Sequence, residues 1–420
     1  MKNILSILSL FLLAADLSAQ TPGPLKIEDC YQLARKNYPL AKQHELIEKT
    51  KEYSLQNASK GYLPQVGIFG QASYQSDVTN VPIKLPGLDI PTLSKDQYKV
   101  YAEVNQTIFD AGTIKNEQRI IESNAVIESQ KLEVELYKLK ERINDLFFGI
   151  LLIDEQIVQN ELLKKDIDLG IKKTEASIAN GTALKSSADQ LKAELLKANQ
   201  QTITLKASRK AYLDMLELFI NQNPDENTVL VKPAMIPVSQ EIKRPELLLY
   251  EYENKGLDIQ NKKINSRNLP KFNLFLQGGA GRPGLDMLSN DFSPYYIGGI
   301  RLNWALSGLY TQKKEKELVN INRRNIDLQK ETFLFNTNST LKQQHAEISK
   351  LQQLIASDDE IIELRTRVKT TSLAQLENGV INTNDYLNEV NAEDQARQNK
   401  ILNEIQLLMT IHQQQTTTGN

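Results

Sequence analysis

The sequence predicts an α+β membrane protein in which long antiparallel coiled-coil helices are interrupted by four β-strands of bilayer-crossing length. Three observations lead there: a strand-opening motif that occurs twice, two strand pairs with period-two alternation, and long helical stretches that each end at an Asn-Gly turn. The motif is Tyr62-Leu63-Pro64-Gln65-Val66-Gly67-Ile68-Phe69-Gly70-Gln71, echoed by Asn268-Leu269-Pro270-Lys271-Phe272-Asn273-Leu274-Phe275-Leu276-Gln277. Each copy comes after a polar helical segment and opens a run with two different faces. With the turns Asn180-Gly181 and Asn378-Gly379 recurring in the same order, the chain reads as an internal two-fold repeat.

Composition narrows the class. Aromatic residues make up only 6% of the 420 residues, and long stretches are built from Glu, Lys, Gln, Asn, Leu and Ile, as in coiled coils. Basic and acidic residues nearly balance, 50 against 52, without long runs of one sign, which excludes nucleic acid as the main partner. Cys30 is the only cysteine, so there is no internal disulfide and no cysteine-based metal cluster. His44, His345 and His412 stand far apart. No paired carboxylates, histidine cluster or nucleophile motif falls where a site could form, so neither an enzyme nor a cofactor is expected.

Residues 1–19 read as a secretory signal peptide: Lys2, an apolar run Ile4–Leu13, then small residues ending at Ala19. That run is shorter than the roughly 20 residues a spanning helix needs, and no other segment supplies one. A membrane would have to be crossed by strands.

The first repeat is expected over 20–222. Leu25–Lys60 reads as one helix closed by Gly61 and Pro64. A strand comes next over about 65–75, with Val66, Ile68, Gly70, Ala72 and Tyr74 on one face and Phe69 as an exception on the other. After a Pro/Gly loop, a second strand over about 98–109 sets Tyr98, Val100, Ala102, Val104 and Ile108 against Lys99, Tyr101, Glu103, Asn105 and Thr107. Both approach the 9 to 11 tilted residues, roughly, of a transmembrane strand. The aromatics Tyr62, Tyr74 and Tyr98 lie at or near strand ends, where interface girdles sit. From Ala111 to Asn180 apolar residues step by threes and fours, predicting one helix of roughly 100 Å if unbroken, with Gly149 and Gly170 as weak points. A tip turn at 180–182 returns the chain along a helix to Asn221.

Residues 223–244, with Pro224, Pro233 and Pro237, form a linker. The second repeat, 245–412, is expected as a helix, strands over about 271–280 and 295–305, a long helix, a tip turn at 378–380 and a return helix. Tyr296 and the sole tryptophan, Trp304, are placed as membrane-interface anchors. Residues 413–420 are expected as a flexible tail.

Four strands cannot close a spanning barrel, which starts at about eight, and an open edge in lipid leaves backbone groups unpaired. Copies must pool strands: two give eight, three give twelve. The rival class is a secreted periplasmic coiled-coil scaffold or adaptor without a membrane barrel, which predicts solubility without detergent and mixed polarity on both strand faces.

The chain resembles the outer membrane efflux protein (TolC) family. The residues that carry the likeness are Leu63-Pro64 and Leu269-Pro270, the junctions Gln106-Thr107-Ile108-Phe109-Asp110-Ala111-Gly112 and Asn303-Trp304-Ala305-Leu306-Ser307-Gly308, the repeat start Arg244-Pro245-Glu246, and the two tip glycines. The resemblance implies a homotrimer with a 12-stranded β-barrel in the outer membrane and a periplasmic α-barrel. It implies passive export of cargo delivered by an inner-membrane pump of RND, ABC or MFS type through a periplasmic adaptor protein. It places adaptor contacts at Asn180, Gly181, Thr182, Ala183, Leu184, Asn378, Gly379, Val380 and Ile381. An entrance constriction is expected at Asp385, with Asn388 where a second acid can stand and Glu389 beside it. Leu376 and Ile381 occupy positions where some members carry a polar latch, and Asp189 comes after the first tip glycine at a slightly different offset. Lys99, Glu103, Arg301 and Asn303 are expected to face the barrel lumen, and the opposite strand faces to meet outer membrane lipid.

Overall fold

The structure, a computed structural model, describes residues 24–79, 92–225, 227–235 and 241–420. The expected signal peptide and most of the loop between the first two strands lie outside them. In chain order the elements are α1 (Ile27–Asn37), α2 (Gln43–Ser59), β1 (Gln65–Tyr74), β2 (Asp96–Phe109), α3 (Thr113–Tyr137), α4 (Leu139–Ala179), α5 (Lys185–Ile220), α6 (Pro245–Arg267), β3 (Lys271–Arg282), β4 (Ser293–Asn303), α7 (Gly308–Glu377) and α8 (Thr383–Thr418). The described residues divide into two compact units: those within 24–41, 135–244 and 335–420 form one, and those within 42–134 and 245–334 the other.

Three expectations about the helices are corrected. The helix read over 25–60 is two, because Pro39 forces Tyr38 out of the helical region (ψ 130°) and a short 3-10 turn, Pro39–Lys42, intervenes. The long helix breaks at Lys138, between α3 and α4, rather than at a glycine. The break adjoins Tyr137, whose hydroxyl donates to the Thr416 carbonyl at 2.8 Å while Lys140 and Arg244 lie over its ring at 4.8 and 4.9 Å. Gly149 and Gly170 are instead points of close approach. A Cβ at 149 would sit 2.4 Å from the Tyr212 ring, and one at 170 would sit 2.8 Å from Tyr386. Third, residues 413–420 are no loose tail. Helix α8 runs on to Thr418, Gln414 and Thr418 are buried, the Lys243 amide donates to the Thr418 carbonyl at 2.6 Å, and Asn420 Nδ2 donates to Glu241 O at 3.1 Å.

The first unit has two apolar clusters. One gathers Ile27, Cys30 and Ala34 of α1 against Ile143, Phe147, Phe148, Ile150 and Leu151 of α4 and Leu213, Leu216 and Ile220 of α5. Leu25 bridges Leu230 in parallel and adds both leucines to it. Burial and the neighbouring Asp29 carboxylate push the Cys30 thiol up to about 12. The other cluster lies towards the helix turns and joins Ile167, Ile171, Leu191, Ala198, Tyr386, Leu387 and Val390. Since α4 is packed by α1, α5 and α8, its apolar residues occur on nearly every side.

In the second unit the strands form one antiparallel sheet in the order β1-β2-β3-β4, so β1 and β4 are edges. The register pairs Ile68 with Ala102, Ala102 with Gly278 and Gly278 with Tyr296. All even-numbered residues up to Gln106 therefore share one face, and odd-numbered residues the other. The even face is apolar and uncovered: Val66, Ile68, Val100, Leu274, Leu276, Ile300 and Leu302 are exposed, Ile68 by 82%. Ile108 is expected to continue the face of Val100 and Val104, but a bulge between Thr107 and Phe109 shifts the alternation there and sets Phe109 opposite Phe272. Among the described residues no helix is long and apolar enough to cross a membrane.

Candidate functional site

The odd-numbered sheet face brings together two of the four residues expected there. Glu103, only 6% exposed, accepts from Arg301 at 3.0 and 3.3 Å and also from Asn105 and Gln277 Nε2. Arg301 lies 4.4 Å over the Phe275 ring. Strands β2 and β4 are far apart in sequence, but register aligns them: Glu103 faces Gln277, and Asn273 faces Arg301. Lys99 and Asn303 lie on the same face outside this cluster. Phe69, the exception to the polarity of that face, stacks on Tyr101 with ring centroids 5.4 Å apart.

The aromatics fall at two levels. Tyr74, Tyr98 and Tyr296 are exposed towards the loop ends of their strands, while Tyr62 and Trp304 are exposed where strands meet helices. Trp304 donates its indole N–H to the Asn268 carbonyl at 3.0 Å, leaving the ring body free for an apolar phase.

The two helix turns are built alike. Gly181 (φ +72°) and Gly379 (φ +65°) sit in the left-handed region. In the first, the Gly181 amide donates to Ile178 O at 3.0 Å and Thr182 to Ser177 O at 2.9 Å; in the second, Gly379 donates to Leu376 O at 3.1 Å and Val380 to Gln375 O at 2.8 Å. Both are Schellman closures, which need a residue free of Cβ strain at that position. Asn180, Thr182, Leu184, Asn378 and Val380 are all exposed, whereas Ala183 and Ile381 are partly covered. Leu376 and Ile381, expected where some members of the resembled family carry a polar latch, pack on the apolar cluster around Tyr386.

The turns differ in how the next helix starts. Leu184 begins α5 without a side-chain cap. Asn382 begins α8 with a capping box: its side chain accepts from the Asp385 amide at 3.0 Å, and the Asp385 carboxylate accepts from the Asn382 amide at 3.3 Å. The residue expected at a constriction thus also holds a helix start. Asn388 is exposed, while Glu389 pairs with Arg365 of α7 at 3.3 Å; Asp189 is exposed on α5. Asn382→Ala is expected to destabilise the start of α8 by about 1 kcal/mol, read as faster amide exchange at Asp385 and Tyr386, with the turn at Gly181 unchanged.

Sequence reasoning missed a buried ionic cluster joining three helices. Glu393 of α8, 2% exposed, accepts from Arg397, from Lys369 at 3.3 Å and from Thr366 at 3.2 Å. Lys369 of α7 also donates to Asp166 of α4 at 2.7 Å. Arg397 held by Glu393 keeps that carboxyl low although burial alone would raise it, and the Lys369 charge adds to this. Next to it Asp394 is raised by burial despite a 2.9 Å bond from Gln159. The i,i+4 pair Glu393/Arg397 was visible in the sequence; its partners on α7 and α4 were not. Among the described residues no group of histidine, cysteine or acidic side chains could hold a metal ion.

Residues 30–222 match the family described as outer membrane efflux protein. The fold is similar to that of CusC, solved in a study of folding and transmembrane channel formation (TM-score 0.68, 11% identity, covering 93% of this chain and 91% of that one). It is also similar to the Campylobacter jejuni CmeC outer membrane channel (0.63, 14%, 94% and 85%) and to the open state of the Neisseria gonorrhoeae MtrE outer membrane channel (0.62, 12%, 94% and 89%). No sequence among curated proteins matches the chain. The expected resemblance to the outer membrane efflux protein family is therefore found, and at these identities the solved structures speak for the fold.

Proposed function

From the efflux-protein match of residues 30–222 and a fold shared with solved outer membrane channels, we propose that this chain is the outer-membrane exit duct of an efflux or type I secretion assembly. The observation that carries the reading is the four-stranded sheet with one uncovered apolar face, one polar face and two open edges. An apolar face of this breadth costs about 25 cal/mol per Å² if left in water, and lipid removes that cost. Lipid in turn makes unpaired edges costly, several kcal/mol per backbone group. Both demands are met when β1 of one copy pairs with β4 of the next. Three copies give twelve strands, wide enough for a conduit, with the odd-numbered faces lining it. The helices then form the periplasmic tube as two structural repeats, and the exposed turns at Gly181 and Gly379 meet a periplasmic adaptor that joins the duct to an inner-membrane pump. The chain breaks and makes no covalent bond; the pump supplies the energy and the duct a low-barrier path.

The test is extraction of the full chain from envelopes in mild detergent and measurement of particle mass. Three chain masses are expected. A stable single-copy particle, or recovery wholly in the aqueous fraction, overturns the duct in favour of a soluble scaffold.

A further inference from the structure

The charges on the odd-numbered sheet face do not cancel. In the four strands that face carries Lys99, Glu103, Lys271 and Arg301. Its one carboxylate, Glu103, is buried and taken up by Arg301, Asn105 and Gln277, so its field closes locally on the Arg301 guanidinium. Lys99 and Lys271 have no ionic partner among the described residues. Lys99 is also placed rather than loose. It stands opposite Gly281, where a Cβ would lie 3.1 Å from Lys99 Cγ, and the neighbouring Gly279 leaves the same kind of space for Tyr101. Two glycines thus let a cation and a phenol lie along the wall. The even-numbered face has only Asp96 and Arg282, which pair with each other. The acids of the β3–β4 loop, Asp286 and Asp291, are exposed and bond within their own loop.

We propose that the strand end of the duct favours anions, through Lys99 with Lys271 at its helix-side mouth, and so suits cargo bearing carboxylate, phosphate or sulfonate groups. This rests on the duct reading above. Each copy brings two uncompensated cations, and their field is focused by the low-dielectric wall of a barrel, where a ring of fixed charge sets ion preference.

The experiment is the zero-current potential of the full chain, purified as its native particle, in planar bilayers under a KCl gradient. Chloride is expected to permeate better than potassium. Lys99→Glu is expected to lower the chloride-to-potassium permeability ratio by about threefold or more, Lys99→Gln by less, and Lys99→Arg to keep it. Discrete pores whose ratio is below one, or is unchanged by Lys99→Glu, overturn the inference and leave the duct standing. If wild type and Lys99→Arg give no pores at all, the duct reading itself falls.

Discussion

Glu393→Ala is expected to destabilise the first unit by about 3 kcal/mol, measured as a lower urea midpoint by circular dichroism. Removing one member of a buried ion pair typically costs 3 to 5 kcal/mol, roughly, because the partner charge is left behind. Here the cost falls at the low end, since Lys369 keeps Asp166 at 2.7 Å and Arg397 is partly in water. The pH dependence has two parts. Glu393 titrates below its ordinary 4.5 when folded, so its contribution is complete above that value and is lost as pH falls through the folded one. Asp394 titrates above its ordinary 3.8, so its charged form is a liability near neutrality that protonation relieves. As the pH is lowered from 7, stability is expected to rise slightly while Asp394 takes up its proton and then to drop as Glu393 does. Asp394→Asn should remove the rise and keep the drop. A Glu393→Ala loss under about 1 kcal/mol would show that the cluster is held by packing alone.

Ala102→Arg is expected to abolish assembly in the outer membrane. Ala102 sits mid-strand on the even-numbered face between Ile68 and Gly278, so the sheet has room for a longer side chain and, in the proposed barrel, the penalty comes from the lipid. Arginine on a lipid face near the bilayer midplane costs about 2 to 4 kcal/mol per copy, and in the proposed shared barrel each copy adds its own. Gln71→Arg, on the opposite face across from Lys99, is expected to assemble normally, as is Ala102→Leu. The readout is the fraction of chain recovered as the large detergent particle. Equal recovery of Ala102→Arg and Gln71→Arg would mean that the even-numbered face does not meet lipid.

The sheet is legible in the sequence because its signal is local: alternation at Tyr98–Val104 and Phe272–Ala280 fixes which residues share a face, whatever the partners. Phe69 breaks the pattern for a reason the sequence does not carry, the Tyr101 ring stacked on it. Helix ends are legible at Gly181 and Gly379, where the left-handed backbone leaves a mark in residue type. Helix interruptions are not. Pro39 sits inside a strong helical composition, and Lys138 differs in nothing from its neighbours; the break adjoins Tyr137, which is bound to groups far along the chain. Gly149 and Gly170 suggest flexibility because a glycine in a helix has that default meaning, whereas the side chains that need the space, Tyr212 and Tyr386, come from other helices. The tail misleads for the same reason: Gln413–Thr418 has no apolar stripe, and its order rests on hydrogen bonds with distant residues, Tyr137, Lys243, Gln344 and His345. At the candidate site, Asp385 is legible as an acid after a tip glycine, but its bond to Asn382 is visible only in the geometry.

The buried position of Cys30 leaves the chain chemically silent towards maleimides and methanethiosulfonates, since the attacking thiolate is scarcely populated for a thiol pushed to about 12 and fully buried in the apolar cluster that includes Phe147 and Leu216. A cysteine introduced anywhere on the outside will therefore be the sole reactive handle on each copy, without deleting the native one. Probes, cross-linkers and spin labels can map lipid, lumen and partner contacts in an otherwise unaltered protein.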